Sequence, residues 1–514
     1  MGFAQIWSRA QIGLAAPLVR VEVHLGSGLP TFAIVGLPAP VVRESRERVR
    51  AALAHCGYEI PAGRITVNLA PADLPKEGGR FDLAVALGLL VASGQLRAPQ
   101  DLERCEFYGE LGLAGELKPV PGLLLAALQA AGSGHSIYAP AGNAADLRRA
   151  GCALPHVAAD LDGICAQLRG EDPPPQSPLE GAVPVASGPA APGILEDVRG
   201  QWQAKRALVV AATGSHSLLF VGSPGTGKSM LAQRLPGLLP ALSAAEALEV
   251  AAIDAVARRG ETPRHWGQRP FRAPHHTASA HAIVGGGKDA RPGEVSLAHL
   301  GILFLDELPE FDRRVLEALR EPLETGVVSI SRANLRADYP AAFQFVAAMN
   351  PCPCGYLGDA SGRCRCNQPQ IRRYRARLSG PLLDRIDLHV SLPRPEAAVL
   401  AGAVREDSAA ARDGDAFSSR VAAERVVCAR DRQMARQNKL NARLTAAETM
   451  PCCRPNAAAL ALLGRAADKL QLSARSYHRL LRVARSIADL EDVDELGAAQ
   501  VAEALSLRVP VDSG

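Results

Sequence analysis

A glycine-rich octapeptide, Gly222-Ser223-Pro224-Gly225-Thr226-Gly227-Lys228-Ser229, follows directly on the apolar run Leu218-Leu219-Phe220-Val221 and fits G-x-x-x-x-G-K-[ST]. Glycines let backbone N–H groups close around phosphate oxygens, and the helix expected from Met230 to Leu235 presents its positive end to them. Lys228 is placed to reach β- and γ-phosphates, and the Ser229 hydroxyl to ligate Mg²⁺. A second element, Ile302-Leu303-Phe304-Leu305-Asp306-Glu307, reads as a buried parallel strand ending in two carboxylates. Alone, such a pair is often an ordinary surface edge. Beside a phosphate loop, Asp306 is expected to bind Mg²⁺ and Glu307 to polarise the attacking water. ATP hydrolysis is the chemistry these two elements predict.

Cysteines supply another constellation. Cys352-x-Cys354 and Cys364-x-Cys366 are separated by nine residues that include Gly355, Gly358 and Gly362. Four thiolates can close a tetrahedral Zn²⁺ site with no open position. A structural zinc knuckle is therefore expected, with free buried thiols as the alternative. From Arg363 to Arg385 seven arginines accompany one acid, Asp384, and Arg372, Arg373, Arg375 and Arg377 surround Tyr374. Arginine offers bidentate phosphate contacts and Tyr374 could stack a base. A subunit interface is an equally physical destination for this run. His275, His276, His281 and His299 raise the idea of a metal site, but adjacent histidines rarely face one ion.

These groups need scaffolds. At 514 residues the chain is long enough for two to four domains. Its 47% hydrophobic and 21% charged composition is that of a globular protein. With 57 basic and 53 acidic residues, a generally basic nucleic-acid coat is excluded, though a local patch is not. Strand-like alternation at 19–23 and 65–69 and helical patterns at 42–54 and 81–92 make the first 170 residues mixed α and β. Seven prolines crowd residues 171–193, which reads as a linker. An α/β region at 194–392 carries the phosphate loop and the cysteine insertion 352–366, and 393–514 turns helical. No stretch reaches the ~18 to 20 predominantly apolar residues of a membrane span, the uncharged run 119–145 being interrupted by Pro, Gly, Gln, Ser and His, and no secretory signal is recognisable at the N-terminus. A cytoplasmic location without membrane partners is expected; Cys56, Cys105, Cys152, Cys165 and Cys428 read as small buried hydrophobes, and adjacent Cys452 and Cys453 are poorly placed for a shared task.

The order of motifs resembles an AAA+ ATPase of the Mg-chelatase-like branch. The segment from Phe271-Arg272-Ala273-Pro274-His275-His276-Thr277 to Pro292-Gly293-Glu294-Val295-Ser296-Leu297-Ala298-His299 is similar to that branch's signature between the two nucleotide motifs. The resemblance implies that Asn350 orients the hydrolytic water and that 327–336, with Arg332 and Arg336, forms a presensor hairpin. It implies further that Arg385 is an arginine finger serving a neighbouring subunit, and that Arg475 is a second sensor on a helical lid. Arg479 and Arg482 share its helical face, and a plain solvated basic face is the alternative for these two.

The first domain resembles the proteolytic domain of Lon, an α+β fold of ribosomal-S5 type, at Leu74-Pro75-Lys76-Glu77-Gly78-Gly79-Arg80-Phe81-Asp82. Arg80 stands where the nucleophile is expected, and Leu124, Leu125 and Ala126 stand near the place of the lysine. Without a Ser–Lys dyad, peptide cleavage is not expected. The whole arrangement is similar to the ComM/YifB family. That resemblance implies a homohexameric DNA helicase acting on single-stranded, forked or branched DNA, and promoting branch migration during natural transformation. A magnesium-chelatase ATPase subunit is the main alternative, and an ATP-dependent protease-like regulator a third.

Overall fold

The structure is a computed structural model and describes residues 2–36, 40–74, 76, 78–97, 101–152, 156–171, 194–257, 266–287, 290–332, 335–359, 362–394 and 418–508. The linker expected at 171–193 falls outside these, save its first residue. So does most of the stretch joining 392 to the C-terminal helices. The chain divides into two compact units, Met1–Ser187 with Ala244–Trp266 and Ser331–Tyr339, and Gly188–Ser243 with Gly267–Ile330 and Pro340–Gly514.

The first unit is built on a seven-stranded mixed sheet. Its order is Thr31–Val35, Arg64–Ala70, Leu18–Gly26, Gly2–Arg9, Cys105–Phe107, Ser136–Pro140 and His156–Ala158. Gly2–Arg9 runs antiparallel to Leu18–Gly26, which runs antiparallel to Arg64–Ala70; the last three strands are added in parallel. Val19, Val21 and Val23 point to one buried face because strand side chains alternate. Helix Asp82–Ala92 is apolar on every side, and every residue from Asp82 to Leu90 is buried. Helix Ala244–Ala257 joins this unit through its alanines. Ala252 packs in a cluster with Ala16, Leu123 and Ala127, since small side chains let helix surfaces approach closely.

The second unit holds a five-stranded, wholly parallel sheet. Its order is Phe271–Arg272, Ile302–Leu305, Gln344–Met349, Leu218–Gly222 and Leu388–Leu392. Parallel sheets are covered on both faces, which explains why Ile302–Leu305 and Gln344–Met349 are buried at every position. Helix Ala474–Leu490 contributes Leu480, Leu481, Ala484 and Ile487 to the same core cluster as Leu218, Phe220 and Val346. The C-terminal helices are thus bound to the sheet by one continuous apolar core. Among the described residues no helix is long and apolar enough to cross a membrane.

Candidate nucleotide site

Parallel strands deliver their carboxyl ends to one edge of the sheet, and there the predicted groups meet. Strand Leu218–Gly222 runs into the glycine loop, strand Ile302–Leu305 into Asp306, and strand Gln344–Met349 into Asn350. Gly225 and Gly227 have φ of +79° and +89°, the left-handed region that glycine enters without strain. That conformation turns successive N–H groups inward around the space a phosphate needs.

Lys228 begins the short helix Lys228–Ala232 and is only 8% exposed. Its Nζ donates to the carbonyls of Gly222 and Ser223 at 2.7 and 3.0 Å and to Asn350 Oδ1 at 3.1 Å. Burial lowers its pKa, against the opposing pull of Asp306 and Glu307. Ser229 Oγ donates to Asp306 Oδ2 at 2.5 Å, so the two groups expected to ligate Mg²⁺ lie side by side. Asp306 Oδ1 accepts from the Glu307 N–H at 2.9 Å. Glu307 adopts a left-handed φ of +52°, costly for a residue with a Cβ, and keeps half its side chain exposed. His276 Nδ1 lies 3.3 Å from Glu307 Oε2. The residues fit a Mg²⁺–nucleotide: a left-handed glycine cradle, a buried amine held on exchangeable carbonyl partners, and a hydroxyl–carboxylate pair.

The arginines are placed differently from one another. Arg385 is 6% exposed, and its Nη2 pairs with Glu324 Oε1 at 2.7 Å. Arg475 pairs with that same oxygen at 2.9 Å. One carboxylate of the same chain therefore holds both arginines. Arg479 donates to Asp387 Oδ1 at 2.6 Å and to the Arg385 carbonyl at 2.7 Å. Arg482 donates to the carbonyls of Ala442 and Leu444, both at 2.9 Å. These two do not form a solvated basic face: Arg479 ties its helix to the segment that enters strand Leu388–Leu392, and Arg482 ties the same helix to the turn at 442–444. Asp387 is pulled well below the usual carboxylate range, because Arg479 and His216 outweigh the upward push of burial.

In the basic run, Arg372 and Arg373 lie on helix Gln368–Arg375 and face solvent. Arg377 pairs with Glu310 at 2.6 Å. Tyr374 is 6% exposed, so it does not offer a face for base stacking. Its ring sits on the apolar side of the helix with Ile371, three positions away on the same face. Arg332 and Arg336 occupy strands Val327–Arg332 and Leu335–Pro340, but their side chains fall outside the described residues. The four cysteines converge: their sulfurs lie within 4.8 Å of one another, the one group of three or more potential metal ligands among the described residues. The histidines do not join such a group. His275 bonds Thr277, and His299 Nδ1 accepts from the Ala342 N–H at 3.1 Å.

In the first unit Arg80 is 9% exposed and donates to the Pro121 carbonyl at 2.6 Å. Leu124, Leu125 and Ala126 are buried. Lys76 is 1% exposed, with Nζ on the carbonyls of Gly36 and Pro71. Sequence reasoning missed Glu324, His276 as the neighbour of Glu307, and the Asp387–His216–Arg479 network. No spacing links these residues, because each pair comes from segments far apart along the chain that only the fold brings together.

Three family models match the chain. Residues 194–400 match one described as magnesium chelatase, subunit ChlI; residues 21–143 one described as subunit ChlI of Mg-chelatase; and residues 416–508 one described as magnesium chelatase, subunit ChlI C-terminal. The YifB protein of Salmonella typhimurium is 48% identical over 99% of this chain and 97% of its own length. The competence protein ComM of Haemophilus influenzae is 46% identical over 99% of this chain and 98% of its own. The magnesium-chelatase 38 kDa subunit of Cereibacter sphaeroides is 28% identical over 30% of this chain and 51% of its own. Matched across almost its whole length at such identity, the chain belongs to the YifB/ComM family and carries Mg-chelatase-type domains.

Proposed function

We propose that this chain is an ATP-driven DNA motor that works as a homohexameric ring and promotes branch migration in recombination during natural transformation. The observation that carries the reading is the meeting of Lys228, Ser229, Asp306, Glu307 and Asn350 at one sheet edge, with Lys228 bonded to Asn350 and Ser229 to Asp306. Lys228 neutralises the phosphates, Ser229 and Asp306 would hold Mg²⁺, Glu307 polarises the attacking water, and Asn350, bonded to Lys228, orients that water. When bound, Mg²⁺ supplies positive charge to the developing phosphoryl charge. Arg385 of one subunit completes the neighbouring site, which makes assembly a condition of turnover. The four cysteines hold a structural Zn²⁺, and exposed Arg372 and Arg373 contact DNA phosphates. The competence protein among the relatives supports the setting in DNA uptake.

The second reading, an ATPase subunit driving metal insertion into a tetrapyrrole, is favoured by the match to the magnesium-chelatase subunit over 174 residues. Strand displacement on forked and three-stranded DNA separates the two. Wild-type protein should displace the strand only with ATP, more weakly as salt rises, and Lys228→Ala should not displace it at all. Displacement by Lys228→Ala equal to wild type would sink the motor assignment. Arg385→Ala should still assemble while hydrolysis falls by about a thousandfold. Full activity in that variant would remove the finger role.

A further inference from the structure

The cysteine group lies against the nucleotide site. Cys352 follows Asn350 by two residues. Gly355 has φ of +83°, and a Cβ built there would come 2.7 Å from Pro224 of the phosphate loop and 3.7 Å from Asn350 Cγ. Such contact with the Pro224 ring is too close for any side chain, so the turn between the first two cysteines and the third is packed glycine-against-proline on the loop. The sulfurs of Cys352, Cys354 and Cys364 are 3.4, 3.8 and 3.7 Å apart. Tetrahedral Zn²⁺ with Zn–S bonds of about 2.3 Å requires S···S separations of about 3.8 Å.

We propose that Zn²⁺ bound by Cys352, Cys354, Cys364 and Cys366 clamps the nucleotide site, holding Gly355 against Pro224 and Asn350 beside Lys228, so that metal loading sets nucleotide affinity. The inference rests on the nucleotide reading of Lys228 and adds a metal-dependent control to it. Without the ion, only thiol hydrogen bonds would join the two C-x-C pairs, and the turn that abuts Pro224 would lose its anchor. Coordination releases the thiol protons to solvent and changes no oxidation state. The clamp is structural: four protein ligands leave no position for a substrate.

The test measures zinc per chain and the affinity for a fluorescent ATP analogue in the full-length protein. Purified protein should carry one Zn²⁺ per chain. Removing it with a thiol reagent and chelator should weaken nucleotide binding by about tenfold, and reduction with added Zn²⁺ should restore it. Cys364→Ser should lose both zinc and affinity. Gly355→Ala should keep its zinc yet bind nucleotide more weakly, and it decides the matter if the cysteine variant does not fold. Lys228→Ala should keep its zinc and lose nucleotide affinity. If it binds nucleotide as wild type does, the nucleotide reading fails. Zinc-free protein, or stripped protein and Gly355→Ala that both bind nucleotide normally while Lys228→Ala does not, would overturn the clamp alone.

Discussion

Two buried charge clusters, one in each unit, differ in what their charges touch. In the first unit Glu106 is fully buried and spends both oxygens on neighbours. Arg9 donates to it at 2.8 Å, Tyr108 at 2.5 Å, and His135 Nδ1 lies at 2.8 Å. Arg9 is further tied to the Ala16 carbonyl at 3.0 Å. In the second unit Lys228 leans on loop carbonyls and an amide oxygen, partners that a phosphate can replace. A buried ion pair closed on itself resists change, since removing one partner strands the other in a low dielectric. A buried cation on neutral acceptors is poised to receive an anion. The contrast separates charges that hold a fold from charges that await a ligand.

Lys228→Ala should therefore lower ATP hydrolysis by at least about a hundredfold while leaving the melting temperature nearly unchanged. A large drop in thermal stability would erase the distinction. Glu106→Gln should do the reverse. It leaves Arg9 buried without its counterion and should cost about 3–5 kcal/mol by denaturant unfolding, with hydrolysis per folded molecule intact. Loss of hydrolysis at unaltered stability would assign Glu106 to function.

Glu324 lies between these extremes, because one half-exposed carboxylate holds Arg385 and Arg475. Glu324→Gln should lower kcat by about tenfold through mispositioned arginines, with KM for ATP kept. A change in KM alone would place the effect on nucleotide binding instead.

The smallest effect is in acid. Asp387 is depressed, by Arg479 and His216 against burial, so the unfolded chain binds its proton more readily. Its stabilisation is present above the ordinary aspartate pKa of about 3.9 and is lost progressively as pH falls below it. Asp82 is raised, by burial acting against Arg48 and Ser45, so the folded state binds the proton more readily. Its share of stability instead grows as pH falls toward the ordinary value. Acid titration of unfolding should show Asp387→Asn with a shallower loss below pH 4 than wild type. An unchanged slope would remove Asp387 from the acid response.

Much of the nucleotide site is legible in the sequence. The octapeptide 222–229 and the run ending in Asp306 and Glu307 are contiguous, and their chemistry is carried by local backbone geometry. The linkage of Lys228 to Asn350 was not, because it depends on Gln344–Met349 lying between Leu218–Gly222 and Ile302–Leu305. Tyr374 shows the opposite failure. Flanking arginines suggested an exposed ring, but the helix turns Ile371 and Tyr374 inward together. The helical spacing of Arg475, Arg479 and Arg482 likewise did not reveal that Arg479 is committed to Asp387 and Arg482 to backbone carbonyls.

By itself the amino-acid sequence determined the phosphate loop, the acidic strand end, the cysteine pairs and the helical C-terminus, since each depends on residues close along the chain. Only the tertiary structure decided which distant groups share an atom: Arg385 and Arg475 on one oxygen of Glu324, and Gly355 against Pro224. Local patterns set what a segment can form. Strand order and close packing set which segments meet, and that meeting is a property of the whole chain.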